Sequence, residues 1–129
     1  MKIQSLTIHP YHIPLKNGKS RFGVIVNMID EQGNRGSGDV APLPGFSNET
    51  LDDCLKQLNQ RQEEILKIEW TPKSCLKGLE KLNLLPSVSF GLESALLAIL
   101  APLVEFSVAT SALLMGSKEE ILNQAALRY

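Results

Sequence analysis

Apolar residues alternate with polar ones along the first part of the chain, which is the pattern of β-strands. Ile3 to Leu15 predicts a first strand, with Leu6 and Ile8 on one face. After Pro10 the apolar positions move from even to odd numbers. This shift predicts either a β-bulge near Pro10 or an edge strand, where a proline costs no ladder hydrogen bond.

Two further strands follow, joined by turn residues. Arg21 to Ile29 shows the clearest alternation, and Asp30 to Asn34 supplies a turn that returns Arg35 to Ala41 antiparallel. Gly36 and Gly38 lie inside the third strand, which predicts that another backbone or a ligand approaches closely there. The predicted apolar face of the second strand comprises Phe22, Val24, Val26 and Met28.

From Thr50 onward the apolar spacing becomes helical. Thr50 to Asp53 has the form of a capping box, and the first helix extends to about Ile68. Thr71-Pro72 predicts the start of a short second helix, with the threonine as N-cap and the proline at the first position. The predicted apolar face of this second helix comprises Leu76 and Leu79.

A third helix follows Pro86-Ser87 and has the broadest apolar stripe, which places it centrally in the core. Gly91 inside it costs about 1 kcal/mol relative to alanine. We therefore expect a close contact between this helix and a strand or another helix at Gly91. The stripe comprises Val88, Leu92, Ala95, Leu96, Ile99 and Leu103.

The pattern of the last residues predicts the beginning of a second domain. Ser107 to Met115 reads as a short buried strand, and Ser117 to Glu120 as a capping box that opens another helix. A strand that follows a run of helices cannot pair with the preceding sheet without a long crossover. We therefore expect a domain over residues 1–104 and, over residues 105–129, the first strand and helix of an incomplete second domain.

Composition and charge narrow the function classes. The chain has 129 residues, a net charge of −1 and a hydrophobic content of 43%, which gives no electrostatic reason to expect nucleic acid or an acidic membrane surface as a partner. The N-terminus lacks the apolar core of a signal peptide, and the apolar run from Ala95 to Val104 is half of the ~20 residues that span a bilayer. Cys54 and Cys75 have no metal-like spacing. We expect a cytoplasmic protein without a disulfide framework.

Two glycine motifs only formally match nucleotide-binding loops. Gly18-Lys19-Ser20 lacks the leading glycine of a phosphate-binding loop, and no helical pattern follows it. Gly36 to Ala41 matches G-x-G-x-x-A, but Pro42-Leu43-Pro44 stands where a helix must begin.

His9 and His12 are three residues apart in a predicted strand and so lie on opposite faces. We therefore expect neither a nucleotide site nor a shared histidine–metal site.

The stretch from Gly38 to Thr50 joins the predicted sheet to the first helix and is the best candidate for meeting a ligand. Two prolines and two glycines stiffen and shape it, with an aromatic residue near its tip. Pro42, Pro44 and Gly45 are expected chiefly to set the shape of the loop.

Three side chains in or beside this loop have open roles. Phe46 packs on the helical bundle or forms a wall of a substrate pocket. Ser47 caps the following helix or contacts a ligand. Arg21, at the start of the second strand, grips a carboxylate in bidentate fashion or is a solvated strand-end residue.

Three stretches carry a family resemblance: Arg21-Phe22-Gly23, Gly38 to Thr50 with the sequence GDVAPLPGFSNET, and Pro86 to Leu96 with the sequence PSVSFGLESAL. Together they resemble the N-terminal part of the o-succinylbenzoate synthases of the enolase superfamily. The resemblance covers essentially the whole chain. Its middle stretch is the most specific. A Gly-Glu/Asp-x-x-Pro junction is common across the superfamily, whereas the longer motif PLPGFS-x-ET resembles the o-succinylbenzoate synthases in particular.

The resemblance implies an α+β fold. A three-stranded antiparallel meander followed by a helical bundle would cap a (β/α) barrel, which residues 107–128 would begin. Two mobile lid loops, 15–21 and 41–48, would close over the mouth of that barrel. The residues that would contact the substrate from these loops are Arg21, Pro44, Gly45, Phe46 and Ser47.

The resemblance also implies a reaction. Family members are carbon–oxygen lyases that eliminate water from a cyclohexadiene carboxylate on the route to menaquinone or phylloquinone. A lysine base and a Mg²⁺ ion carry that chemistry, and both belong to barrel strands beyond this chain. The implied partners are a small-molecule carboxylate and the chain's own barrel domain. No catalytic residue and no metal ligand is expected within these residues, and the chain alone is expected to be inactive.

One position departs from the family pattern. Asp39 stands where the superfamily usually has glutamate, so the hydrogen bond made there is expected to be re-routed, and we assign Asp39 no catalytic role. Two alternatives stay open: another racemase, epimerase or cycloisomerase of the same superfamily, and a capping domain used only as a binding module. The sequence that follows Tyr129 would separate them.

Overall fold

The computed structural model describes residues 1–101 of the chain. They form a three-stranded antiparallel sheet followed by three helices, the predicted α+β architecture. The predictions for residues 102–129 lie outside the described residues: the last position of the third apolar stripe, the strand and helix after it, and the domain boundary.

The three strands form a simple meander. They are β1 (Ile3–Pro14), β2 (Ser20–Asp30) and β3 (Arg35–Val40), and their order in the sheet is β1-β2-β3. Both pairs are antiparallel, because each connection is too short for a crossover. The predicted meander is confirmed.

The irregularity of β1 lies elsewhere than predicted. Pairing with β2 continues without a shift past Pro10, which lies opposite Val24, and the register changes instead between Ile3 and Ser5. β1 is an edge strand, so Pro10 is tolerated for the second of the two predicted reasons. The bulge near the start lets Ile3 and Leu6, an odd number of residues apart, both enter the core.

The apolar face of β2 is confirmed except at its first position. Val24, Val26 and Met28 are completely buried, whereas Phe22 is 53% exposed. Phe22 lies opposite His12, and the two rings stack with their centroids 4.6 Å apart. Its ring therefore packs on a polar neighbour at the end of the sheet.

The helices are α1 (Leu51–Lys67), α2 (Cys75–Lys81) and α3 (Pro86–Leu100). The capping box predicted for α1 is confirmed in both directions. Thr50 Oγ1 accepts from the Asp53 amide at 3.2 Å, and the Thr50 amide donates to Asp53 Oδ2 at 3.0 Å.

The second helix begins at Cys75, later than the predicted start at Thr71-Pro72. Thr71 Oγ1 accepts from the Ser74 amide at 3.1 Å and donates to Ser74 Oγ at 2.9 Å, so these residues form a turn before the helix. The turn follows Trp70, whose buried indole donates to the Ile65 carbonyl at 3.1 Å. Burial of this large side chain fixes the path of the chain, and the helix starts only after it.

The buried face of α2 is also rotated from the prediction. Leu79 is buried as expected, but Leu76 is 56% exposed and Cys75 takes the inward position. Cys75 and Leu79 are four residues apart and so share one face of the helix.

Helix α3 crosses β3 with no side chain between the two backbones. A β-carbon on Gly38 would overlap the Gly91 carbonyl, and one on Gly36 would overlap the Ala95 carbonyl. A β-carbon on Gly91 would overlap the side chain of Val40. The close approaches predicted at all three glycines are confirmed, and we call Gly36, Gly38 and Gly91 the glycine contact.

The inward face of α3 carries much of the core, as its central position predicts. Its fully buried side chains are Val88, Leu92, Ala95 and Leu96. The helix is also apolar on its other side, where Phe90 and Leu97 are exposed. Within residues 1–101, no helix combines the length and apolar character that crossing a bilayer requires.

Replacing Gly38 by alanine should destabilise the chain by about 3 kcal/mol, because the added methyl group forces α3 away from β3. Ser37→Ala is the matched control, since Ser37 directly precedes Gly38 in β3 and faces away from α3. Urea unfolding of both variants measures the difference. A Gly38→Ala variant as stable as Ser37→Ala would contradict the packing described for the glycine contact.

Candidate functional site

The sheet and the helices leave a cleft at the end of the domain where β1 ends, β2 begins and β3 gives way to α1. The cleft has a volume of about 530 Å³. Its walls are the start of β2, the loop 41–48 and the first turn of α1. The lining residues are Ser20, Arg21, Phe22, Pro42, Pro44, Gly45, Ser47, Asn48, Glu49, Thr50, Leu51 and Asp52.

The loop 41–48 is closed by its own hydrogen bonds. The amides of Phe46 and Ser47 donate to the Leu43 carbonyl at 3.0 and 2.9 Å, and the Leu43 amide donates to Ser47 Oγ at 2.9 Å. Gly45 has a φ of 85°, which a residue with a β-carbon rarely adopts. This tight turn gives Gly45 the shape-setting role expected for it, whereas that of Pro44 stays a prediction.

Phe46 is the most exposed large apolar side chain among residues 1–101, at 85%. It stands at the tip of the turn and borders a second cleft with Leu85 and Pro86 at the start of α3. Exposure of a whole aromatic ring is costly in water. A ring held in this way by a stiff turn is suited to covering an apolar ligand or surface.

Arg21 ties the base of the loop to the sheet. Its Nη2 donates to the Ala41 carbonyl at 2.8 Å, and its Nη1 lies 3.4 Å from the Pro42 carbonyl. These contacts exclude the solvated strand-end alternative for Arg21, whereas its grip on a ligand carboxylate stays a prediction. Arginine has five N–H donors, so donors remain for a ligand in the cleft that Arg21 lines.

Ser47 does not cap α1, and that alternative was wrong. Its hydroxyl faces Leu43 inside the turn, three residues before the N-cap, whereas Thr50 makes the capping hydrogen bond. Ser47 does not cap the helix because the turn within the loop places the Leu43 amide within hydrogen-bond distance of its hydroxyl. Ser47 also lines the main cleft, as its expected ligand contact requires.

The sequence did not reveal a hydrogen bond between Tyr11 and Asp39, 28 residues apart, in which Tyr11 Oη donates to Asp39 Oδ1 at 2.8 Å. Burial, and then the hydrogen bond and negative charge of Asp39, raise the pKa of Tyr11, against a smaller opposing effect of Arg21. The phenol therefore stays protonated and acts as a donor at neutral pH. A sequence signal for this contact is the glycine at position 23, which lies opposite Tyr11 in the sheet. Because Gly23 has no side chain, it leaves room for the ring.

A third cleft of about 380 Å³ lies beside the first, between the end of β3 and the start of α3. Here Ser87 Oγ donates to Glu49 Oε1 at 3.1 Å. This bond links the end of the loop to α3 and gives Ser87 a structural partner. Arg21 and Asp39 also line this cleft.

The described residues offer few groups for acid–base or metal chemistry. Within residues 1–101, no three histidine, cysteine, aspartate or glutamate side chains lie together as a metal site would need. His9 Nε2 lies 3.1 Å from Thr7 Oγ1, and His12 Nε2 lies 2.7 Å from Ser20 Oγ. Burial raises the pKa of the Cys54 thiol to about 11, which keeps it protonated and unreactive. The arrangement can enclose and orient a ligand.

Comparison with known proteins agrees with this fold. The family described as "MenC, N-terminal domain" matches residues 3–99 of the chain. The chain belongs to this family. The MenC N-terminal domain thus accounts for all six described helices and strands, and the resemblance carried by the three stretches of sequence is confirmed.

Relatives of this MenC domain are o-succinylbenzoate synthases. The one from Vibrio cholerae serotype O1 (strain M66-2) is 35% identical over 100 residues, which cover 69% of this chain and 26% of the relative. The one from Citrobacter koseri is 29% identical over 133 residues, covering 96% of this chain and 38% of the relative. The chain thus spans about a quarter to two fifths of the length of these relatives.

Solved structures show the same fold. MenC from Desulfotalea psychrophila LSv54 superposes with a TM-score of 0.69 at 17% identity, covering 98% of this chain and 46% of that one. A dipeptide epimerase from Methylococcus capsulatus, complexed with Mg ion, gives a TM-score of 0.63 at 25% identity, covering 74% of this chain and 28% of that one. The sheet followed by helices is therefore the capping fold of the enolase superfamily, as the resemblance predicted.

Thr50→Ala should lower the free energy of unfolding of this MenC domain by about 1 kcal/mol, because the amide of Asp53 loses its capping partner. Ser47→Ala should change it by less than about 0.5 kcal/mol, because Ser47 Oγ accepts its hydrogen bond within the loop and caps no helix. Urea unfolding of the two variants distinguishes them. Equal losses would mean that the two hydroxyls do not have the separate roles described for them.

Proposed function

We propose that this chain is the N-terminal capping domain of an o-succinylbenzoate synthase and supplies the loops that close over its substrate. The match of the MenC N-terminal family to residues 3–99 carries the proposal. The exposed Phe46, on a self-closed turn that borders the second cleft, supports it. The reaction would be the dehydration of a succinyl-hydroxycyclohexadiene carboxylate to o-succinylbenzoate, in the biosynthesis of menaquinone or phylloquinone.

In this proposal, the loops of this chain would enclose the bound substrate and shield it from water. Excluding water strengthens every electrostatic interaction inside a closed site. Phe46 would form an apolar wall against the ring of the substrate, held at the tip of the turn by Pro44, Gly45 and Ser47. Arg21 would bring its remaining donors toward a substrate carboxylate while two N–H groups hold the loop.

In this proposal, neither the metal nor the base of the reaction would be held by residues 1–101. The acids near the clefts do not fit a Mg²⁺ site, because within residues 1–101 no three histidine, cysteine, aspartate or glutamate side chains lie together as ligands. Asp53 also accepts a hydrogen bond from the Thr50 amide, and Glu49 accepts one from Ser87 Oγ. Asp39 likewise accepts from Tyr11. We therefore propose that Mg²⁺ and the lysine base belong to a barrel domain of the full-length protein.

A second candidate is a racemase or epimerase of the same superfamily. The dipeptide epimerase from Enterococcus faecalis V583 supports it, because its structure superposes with a TM-score of 0.56 at 28% identity, covering 64% of this chain and 23% of that one. A capping fold shared by several reactions cannot by itself select one of them.

The deciding experiment is an assay of the full-length protein that contains these residues. We expect it to convert the cyclohexadiene carboxylate to the aromatic product with Mg²⁺ present and to stop when the metal is chelated. The 129-residue chain should show no turnover. A folded full-length protein that racemises or epimerises an amino acid derivative instead, or that turns over neither substrate, would contradict the proposal.

Within that assay, Phe46→Ala should lower kcat/KM by about tenfold, equivalent to ~1.4 kcal/mol of lost transition-state stabilisation. Its thermal stability should not change, because the ring is almost wholly exposed. Leu76→Ala is the matched control, an exposed apolar residue on α2 that lines none of the three clefts described above. Unchanged kinetics for Phe46→Ala would remove Phe46 from the proposed lid.

A further inference from the structure

The end of β3 is held by side chains on the face of the sheet opposite the helices. Tyr11 lies across β2, with its ring over Gly23, where a β-carbon would overlap it. Its hydroxyl donates to Asp39 Oδ1 at 2.8 Å. One tyrosine on β1 thus reaches β3 over the intervening strand.

A second tie reaches the same junction two residues later. Arg21 lies on the same face as Gly23, since the two are two positions apart on β2. Its guanidinium donates to the carbonyls of Ala41 and Pro42. Within residues 1–101, the ion pairs are those of the Met1 amino group with Glu69 and of Arg61 with Glu64. Arg21 therefore acts on the loop backbone and not through an ion pair with Asp39.

These ties matter because pairing in the sheet ends just before the loop. The last pair between β2 and β3 joins Val24 to Val40. No strand pairs with the backbone of the loop 41–48, and the turn at Leu43 bonds only within the loop. The direction in which the loop leaves the sheet depends on what holds residues 39–42.

We propose that Tyr11 and Asp39 act as a pair of positioning residues that fix the direction of the loop 41–48. The hydrogen bond anchors β3 at its last outward-facing residue, and Arg21 holds the next two carbonyls. Together they hold Phe46 at its place beside the cleft. The effect on catalysis rests on the proposed function, whereas the effect on the loop does not.

The first test is NMR on the 129-residue chain. Tyr11→Phe keeps the ring over Gly23 and removes only the donor. The amides of Phe46 and Ser47 should then exchange with solvent about fivefold faster, the factor expected for loss of one ordinary hydrogen bond. Ser37→Ala is the matched control, because it removes another cross-strand bond on the same face, to Asn27, away from the loop.

Several outcomes of this test are decisive. The proposal is supported if the loop amides respond to Tyr11→Phe but not to Ser37→Ala, with equal free energies of unfolding. It is further supported if adding Asp39→Ala to Tyr11→Phe has no additional effect, since coupled partners are not additive. Loop amides that exchange as in the wild type, or equally fast in both single variants, would overturn it.

The second test is kinetic and uses the full-length protein. Tyr11→Phe should raise KM about fivefold and leave kcat within about twofold, because the pair acts on the loop before the substrate is enclosed. Ser37→Ala should change neither constant. Faster loop exchange with an unchanged KM would overturn the role in substrate binding. A wild-type protein without turnover would instead refute the proposed function, and the exchange data would still decide the role of the pair.

Discussion

The glycine contact between α3 and β3 is the constraint on which the rest of the structure depends. At Gly38 and Gly91 two backbones touch, which only residues without a β-carbon permit. Glycine inside a helix or strand costs about 1 kcal/mol relative to alanine, so packing must offset this loss of stability. The offset comes from the core between α3 and the sheet, which extends from Val88 to Leu96 along the helix.

The same contact fixes the two ends of the candidate site. β3 is pressed against α3 up to Val40, and the loop starts at the next residue. Ser87, in the first turn of α3, then binds Glu49 just before α1 begins. The loop 41–48 therefore spans two points whose separation the core determines, while its own turn exposes Phe46. A domain built in this way can place an aromatic ring at the edge of a cleft.

Features encoded by neighbouring residues could be predicted from the sequence, and features that depend on distant contacts could not. The capping box needs only Thr50 and Asp53, so its pattern sufficed. The start of α2 depends on the burial of Trp70, and the bond between Tyr11 and Asp39 depends on strand register. The glycines of β3 signalled a close approach but not its partner. In the candidate site the loop and its shape were predictable, whereas the carbonyl contacts of Arg21 were not.

The central claim is that α3 and β3 meet backbone to backbone at Gly38 and Gly91, and that this contact sets the origin of the loop. The most direct measurement is the set of nuclear Overhauser effects between the α-protons of these two residues. An ideal β-carbon at Gly38, which takes the direction of one α-proton, would lie 3.0 Å from the Gly91 α-carbon. We predict strong cross-peaks between the two pairs of α-protons, and from Gly91 to the Val40 methyl groups. Their absence in a folded chain with an intact α3 would contradict the account.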